Sequence, residues 1–157
     1  MKEFKEEKGK SVNVKKLIVS RLPKEKYKLV HKYIPLPCAD VFLKYENGVL
    51  LLLRKDRPEK GSFGLPGGRI YKGVKIEDFL REKVKEECGL NLTKIKQLGV
   101  VRTYFKTDPF NHGKGTDTII FCYSGQGTGK LKIDNRHTSY IILNQKDYNE
   151  NTKKKLP

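Results

Sequence analysis

The chain has 157 residues, enough for one domain with its own core and too few for two independent catalytic domains. Lys and Arg number 34 against 18 Asp and Glu, and the resulting charge of +16 attracts polyanions such as nucleotides, nucleic acid or acidic head groups without naming one of them. The longest apolar run, Val49-Leu50-Leu51-Leu52-Leu53, is strand-sized. It falls far short of the ~20 residues that cross a bilayer, so no membrane partner is expected.

The positive excess is spread along the chain. Residues 1–34 hold 11 basic and 4 acidic side chains, residues 35–144 hold 19 and 12, and residues 145–157 hold 4 and 2. The start is rich in charge and lacks the apolar stretch of a secretory signal, which suggests a soluble, cytoplasmic protein. Cys38, Cys88 and Cys122 are odd in number and form no Cys-x-x-Cys pair. They indicate neither a disulfide framework nor a zinc knuckle and read as small core residues.

Residues 1–157 read as one domain, with 1–10 and 150–157 as flexible ends and 11–34 as an N-terminal extension. Val12, Val14 and Leu17-Ile18-Val19 predict a strand within 11–20. Tyr27, Val30 and Ile34 recur at helical spacing and predict a short amphipathic helix over 24–33, which Pro35 and Pro37 end. Residues 38–44 and 49–54 read as two strands of a hairpin turning at Asn47-Gly48. A Gly- and Pro-rich loop, 57–68, follows, and then a helix over 76–88 closed by Gly89. Further strands are predicted at 95–105, 117–124 and 139–143. Strands on both sides of one strong helix point to an α/β architecture layered as α/β/α, or to α+β.

The helix at 76–88 is not an ordinary amphipathic one. At 100° per residue, Ile76, Phe79, Leu80, Val84 and Cys88 define one face, and Lys83 and Glu87 fall inside it. A carboxylate aimed at an interior is costly unless it is paired or binds a cation. One reading is an internal Lys83–Glu87 ion pair at i, i+4, in the weaker of the two orders. Another is a divalent cation, which also accounts for several acids in the C-terminal half of the helix, where they oppose its dipole.

Residues 68–90, GRIYKGVKIEDFLREKVKEECGL, resemble the Nudix box, G-x5-E-x7-R-E-U-x-E-E-x-G-U with U aliphatic. Gly68, Val84, Glu86, Glu87, Gly89 and Leu90 match without a gap, while Val74, Glu82 and Lys83 stand where the pattern has Glu, Arg and Glu. The family uses several of these glutamates to bind Mg²⁺ and cleave between phosphates, and Lys83 removes a ligand and adds a positive charge. Residues 35–144 are similar to one branch that tolerates a depleted box, the GDP-mannose mannosyl hydrolases, which displace the nucleotide from the sugar carbon. The matching stretches are Asp40, residues 54–58, residues 66–69, residues 115–117 and residues 134–140.

The resemblance implies a Nudix-type α/β/α sandwich with a mixed β-sheet and a metal-binding hydrolase of a nucleotide-sugar or other nucleoside diphosphate. Magnesium is the implied cofactor, with Mn²⁺ as its substitute, and the branch admits a homodimer. Glu87 and Glu86 would ligate the metal with the Gly67 carbonyl, His137 would be the general base, and Arg54 and Arg69 would neutralise the leaving group. Asp40, Arg57, Tyr104 and Arg136 would contact substrate, Arg136 standing where the branch has a Gln ligand. The chemistry agrees in kind, since an imidazole can take a proton from water at neutral pH and a departing diphosphate needs positive charge. Read alone, His137 is equally an exposed loop histidine, and Arg54 and Arg57 are solvated strand-end charges. The alternatives are a conventional pyrophosphohydrolase and a Nudix-fold module that binds nucleotide or, less favoured, RNA, with Tyr104, Phe105 and Phe110 available for stacking.

Overall fold

A computed structural model describes residues 6–144. The predicted tail at 150–157 and the first residues of the N-terminal arm lie outside the described residues. Strands β1 (Glu6–Glu7) and β2 (Lys10–Ser11) pair antiparallel as a small hairpin. The strand predicted within 11–20 is instead a 3₁₀ turn, Val14–Leu17. The Asn13 side chain accepts the Lys15 amide at 3.2 Å, and no residue of the turn is buried, so local bonding prevails where there is no sheet to join.

Helix α1 (Lys24–Tyr33) has the predicted extent. Strands β3 (Leu36–Tyr45) and β4 (Gly48–Arg54) form the predicted hairpin, with Glu46-Asn47 as its two-residue turn and Tyr45 opposite Gly48. Gly48 therefore closes the hairpin instead of occupying its turn, and a Cβ there would lie 2.6 Å from the Leu143 carbonyl oxygen. Short strands β5 (Phe63–Gly64) and β6 (Gly67–Arg69) flank the glycine loop. Helix α2 (Ile76–Cys88) matches the predicted bounds, and Gly89 caps it in the left-handed region at φ 69°. Strands β7 (Asn91–Phe105), β8 (Thr116–Thr128) and β9 (His137–Leu143) follow among the described residues and run longer than predicted.

Among the described residues seven strands form one mixed sheet in the order β5-β4-β3-β8-β7, with β6 added on β3 and β9 on β4. The β3–β8 pair is parallel and the other pairs are antiparallel. Alternation along β3 sends Ala39, Val41 and Leu43 into the core under Phe79, Leu80 and Val84 of α2. It leaves Cys38, Asp40 and Phe42 on the other face. In β4, Leu50, Leu51 and Leu52 are all buried, as expected of a strand covered on both faces. This frame places the end of β4, the start of β9, β6 and the C-terminal half of α2 around the glycine loop.

Candidate active site

The site starts with α2, where the helical period carries Lys83 and Glu87 onto the buried face beside Val84. Their side chains are 11% and 9% exposed, so they resolve each other's burial: Lys83 Nζ lies 2.9 Å from Glu87 Oε1. The same ammonium donates to Glu86 Oε2 at 3.2 Å. Burial works to lower the Lys83 pKa, and the two carboxylates more than offset it, so the group is held above its ordinary value. The second Glu87 oxygen accepts the Gly67 amide at 3.2 Å, and the second Glu86 oxygen lies 3.9 Å from Arg21 Nη2.

Gly67 joins this helix to the sheet. It sits opposite Asp40 across the β3–β6 pair at φ 153°, and a Cβ there would collide with the Ala39 carbonyl and the Asp40 carboxylate, so only glycine fits. Asp40 is pushed up to about 7, first by burial and then by the Glu87 charge, against the opposing pull of Arg54 and the Gly68 amide. Burial and Asp40 push the neighbouring Cys38 thiol up to about 12, so Cys38 is no thiolate nucleophile.

Across the β4–β9 pair Arg54 stands opposite His137, at an irregularity in register after Leu53. Among the described residues the Arg54 Nε is buried and has no hydrogen-bond partner. His137 is not a loop histidine; it opens β9, and its Nδ1 lies 2.7 Å from Asp134 Oδ1. A carboxylate can only accept, so Nδ1 carries a proton, and in the neutral ring the lone pair is then on Nε2. Arg69, on β6, stacks its guanidinium 3.9 Å from the Tyr27 ring centroid of α1, with Tyr71 on a second side at 5.9 Å. Arg57 donates to Asn111 Oδ1 at 2.8 Å and ties the glycine loop to the β7–β8 loop. Exposed Arg136 lies 3.5 Å from Asp56 Oδ2.

Asp40, Gly67, Glu87 and Arg54 form one group, His137 faces Arg54, and Arg69 borders them on β6. Tyr104 does not join them. Asp40 pairs with Cys122, which pairs with Gly99, so Tyr104 is five residues further along β7, about 17 Å at the usual strand rise. It is exposed and packs against Arg102, which is bound to Asp117. The substrate contact expected of it would therefore fall at the far end of β7 from the Asp40 row. The sequence reading also missed Asp134, Arg21 and Tyr27. An acid three residues before the histidine is a signal for the first; nothing local signals the other two, because α1 reaches the site only through folding.

The N-terminal extension takes part in the structure. Tyr27 and His31 of α1 pack edge-on to Phe110, and His31 Nδ1 lies 2.8 Å from His112 Nε2 in the β7–β8 loop. Asp108 organises that loop by accepting the Phe110, His112 and Gly113 amides. A separate 440 Å³ depression lined by Pro37, Tyr71, Val74 and Phe121 holds none of the expected site residues.

Residues 35–152 match the NUDIX domain family. The chain belongs to the Nudix family. It is 33% identical over 132 residues to an ADP-ribose pyrophosphatase of Methanocaldococcus jannaschii, covering 82% of this chain and 73% of that protein. It is 30% identical over 88 residues to the low-salt glycan biosynthesis protein Agl8 of Haloferax volcanii, covering 56% of each, so the chain spans little more than half of that relative. A MutT NUDIX hydrolase from Burkholderia pseudomallei shares the fold, with a TM-score of 0.61 and 24% identity over 74% of this chain and 88% of that one. Nudix hydrolases generally use divalent metals. Here the donor set does not fit one: all four oxygens of Glu86 and Glu87 face cationic or amide partners, and among the described residues no three His, Cys, Asp or Glu are grouped to hold a metal. No helix among the described residues is long and apolar enough to cross a membrane.

Proposed function

We propose that this Nudix chain hydrolyses a nucleoside diphosphate derivative, with a nucleotide sugar as the favoured class and GDP-mannose as the first member to test. The observation that carries the reading is a guanidinium-bearing Arg54 set opposite His137 across the β4–β9 pair, with His137 already held by Asp134. Nε2 of His137 takes a proton from water as the water oxygen bonds to the anomeric carbon. The bond from that carbon to the diphosphate oxygen breaks, and its electron pair leaves with the nucleoside diphosphate. Arg54 and Arg69 meet the charge that develops there. Asp134 holds the imidazole in the required tautomer throughout. One relative is named for ADP-ribose, itself a sugar linked to a nucleoside diphosphate, and another for glycan biosynthesis, and both names support this ligand class. A cytoplasmic location and a homodimer belong to the same reading, and light scattering tests the second.

The experiment is hydrolysis of GDP-mannose and ADP-ribose in ¹⁸O-water, with the products read by mass spectrometry. Label on the sugar hydroxyl supports attack at the anomeric carbon. Label on phosphate overturns that step and makes the chain a conventional pyrophosphohydrolase. A second reading, a Nudix-fold module that binds nucleotide or RNA without turnover, draws on the Lys83 pairs with Glu86 and Glu87. Saturable binding without product from any substrate in the panel selects it.

A further inference from the structure

The family's metal site and this chain disagree at the level of single oxygens. Lys83 Nζ lies 2.9 Å from one Glu87 oxygen and 3.2 Å from one Glu86 oxygen. The Gly67 amide donates to the other Glu87 oxygen at 3.2 Å, and Arg21 approaches the other Glu86 oxygen to 3.9 Å. The Lys83 ammonium thus sits on one oxygen of each glutamate, where a divalent ion would have to bind, while the exposed Arg21 contact is loose and Asp40 stands beyond Glu87. Such an ion would have to break both Lys83 contacts and then sit beside a displaced ammonium. That ammonium is buried, with Lys83 only 9% exposed, so it has little water to retreat into. A hard divalent cation also wants about six oxygen ligands, and these oxygens are already engaged.

We propose that the Lys83 ammonium is the resident cation of this site, and that the chain takes up its nucleoside diphosphate ligand without a divalent ion at Glu86 and Glu87. The ligand class rests on the function proposed above; the cation assignment does not. A positive charge built into the helix keeps the Gly67 loop tied to α2 whether or not metal is present. The phosphate charge of the ligand is then met by the chain's own guanidinium groups, Arg54 opposite His137 and Arg69 on β6.

The test titrates Mn²⁺ into the full chain and follows the free-ion signal by electron paramagnetic resonance, for wild type, Lys83→Glu and Glu87→Gln. Wild type is expected to bind Mn²⁺ at least ~10-fold more weakly than Lys83→Glu, which restores an acid where the ammonium stood. One Mn²⁺ per chain bound by wild type at about 10 µM, and lost in Glu87→Gln, overturns the proposal. If circular dichroism shows Lys83→Glu unfolded, Lys83→Gln takes its place with the same expected direction. In a second arm, calorimetry measures GDP-mannose and ADP-ribose binding in EDTA and in Mg²⁺. Affinities equal within ~3-fold support the proposal, and a gain of ~10-fold or more with Mg²⁺ overturns it. If neither nucleotide binds in either buffer, the proposed function fails, while the Mn²⁺ arm still decides the cation.

Discussion

Replacing Glu87 with Gln keeps the side-chain shape and removes one charge from a pair whose members are 9% and 11% exposed. At 2.9 Å and an effective dielectric of about 20, the gross attraction is about 6 kcal/mol, most of which offsets the desolvation of both ions. Losing one partner of such a pair costs about 3–5 kcal/mol, because the remaining ion stays buried. Lys83 keeps Glu86 at 3.2 Å, so the lower end, about 3 kcal/mol, is expected. For a domain of this size that corresponds to a fall in Tm of roughly 6–12 °C. Glu86→Gln is the control: its side chain is 51% exposed, and its loss should cost under about 1 kcal/mol. The assay is urea unfolding of wild type, Lys83→Met, Glu87→Gln and the double variant, closed as a thermodynamic cycle. A coupling of about 2–3 kcal/mol is expected, with the double variant more stable than the single losses predict. Losses that add to within about 0.5 kcal/mol would refute the buried pair as the element that stabilises this half of α2.

Asp134→Asn should lower turnover of whichever nucleotide sugar is hydrolysed by about 10²–10⁴ with little change in ligand affinity, because Asn no longer fixes the His137 tautomer; unchanged turnover in steady-state kinetics removes His137 as base. Gly67→Ala forces a Cβ against the Ala39 carbonyl and Asp40, and a loss of about 2–4 kcal/mol in chemical denaturation is expected. Asp40 titrates at about 7 in the folded chain and at 3.8 ordinarily, so the fold favours its protonated form and loses that contribution as pH rises from 4 through 7. Wild-type stability minus that of Asp40→Asn should therefore fall across this window, by at most about 4 kcal/mol. A flat difference between pH 4 and pH 8 contradicts the shift. Arg54→Lys keeps the charge but loses the planar guanidinium fork that suits a diphosphate, and ligand affinity by calorimetry should drop about 10-fold.

Much of the site's location was legible in the chain because it depends on local period. The apolar repeat placed α2 at 76–88, and the same repeat put Lys83 and Glu87 among the core residues of that helix. The box spacing then marked Gly67, Glu86 and Glu87 as neighbours. What it carried over from relatives was the partner of those acids, and there the ammonium at Lys83 takes a place that the family pattern gives to an acid. The place of Tyr104 was not legible, for a different reason. Its residue type suggested stacking, but the β7–β8 register sets it five residues beyond the Asp40 row.

Sequence alone thus determined the elements whose rules are short-range: both helices, the hairpin of β3 and β4, the glycine cap at Gly89, and membership of a phosphate-chemistry family. Tertiary structure alone decided which distant residues meet. Pairing of β4 with β9 sets Arg54 opposite His137, and the docking of α1 brings Tyr27 onto Arg69. Strand pairing and helix docking are fixed by burial across the whole fold, so no window of sequence contains them. The same holds for charge. The formula of +16 was countable from the start, but only the packing of α2 shows that Lys83 is paired with Glu86 and Glu87, and only the β4–β9 pairing sets Arg54 beside His137.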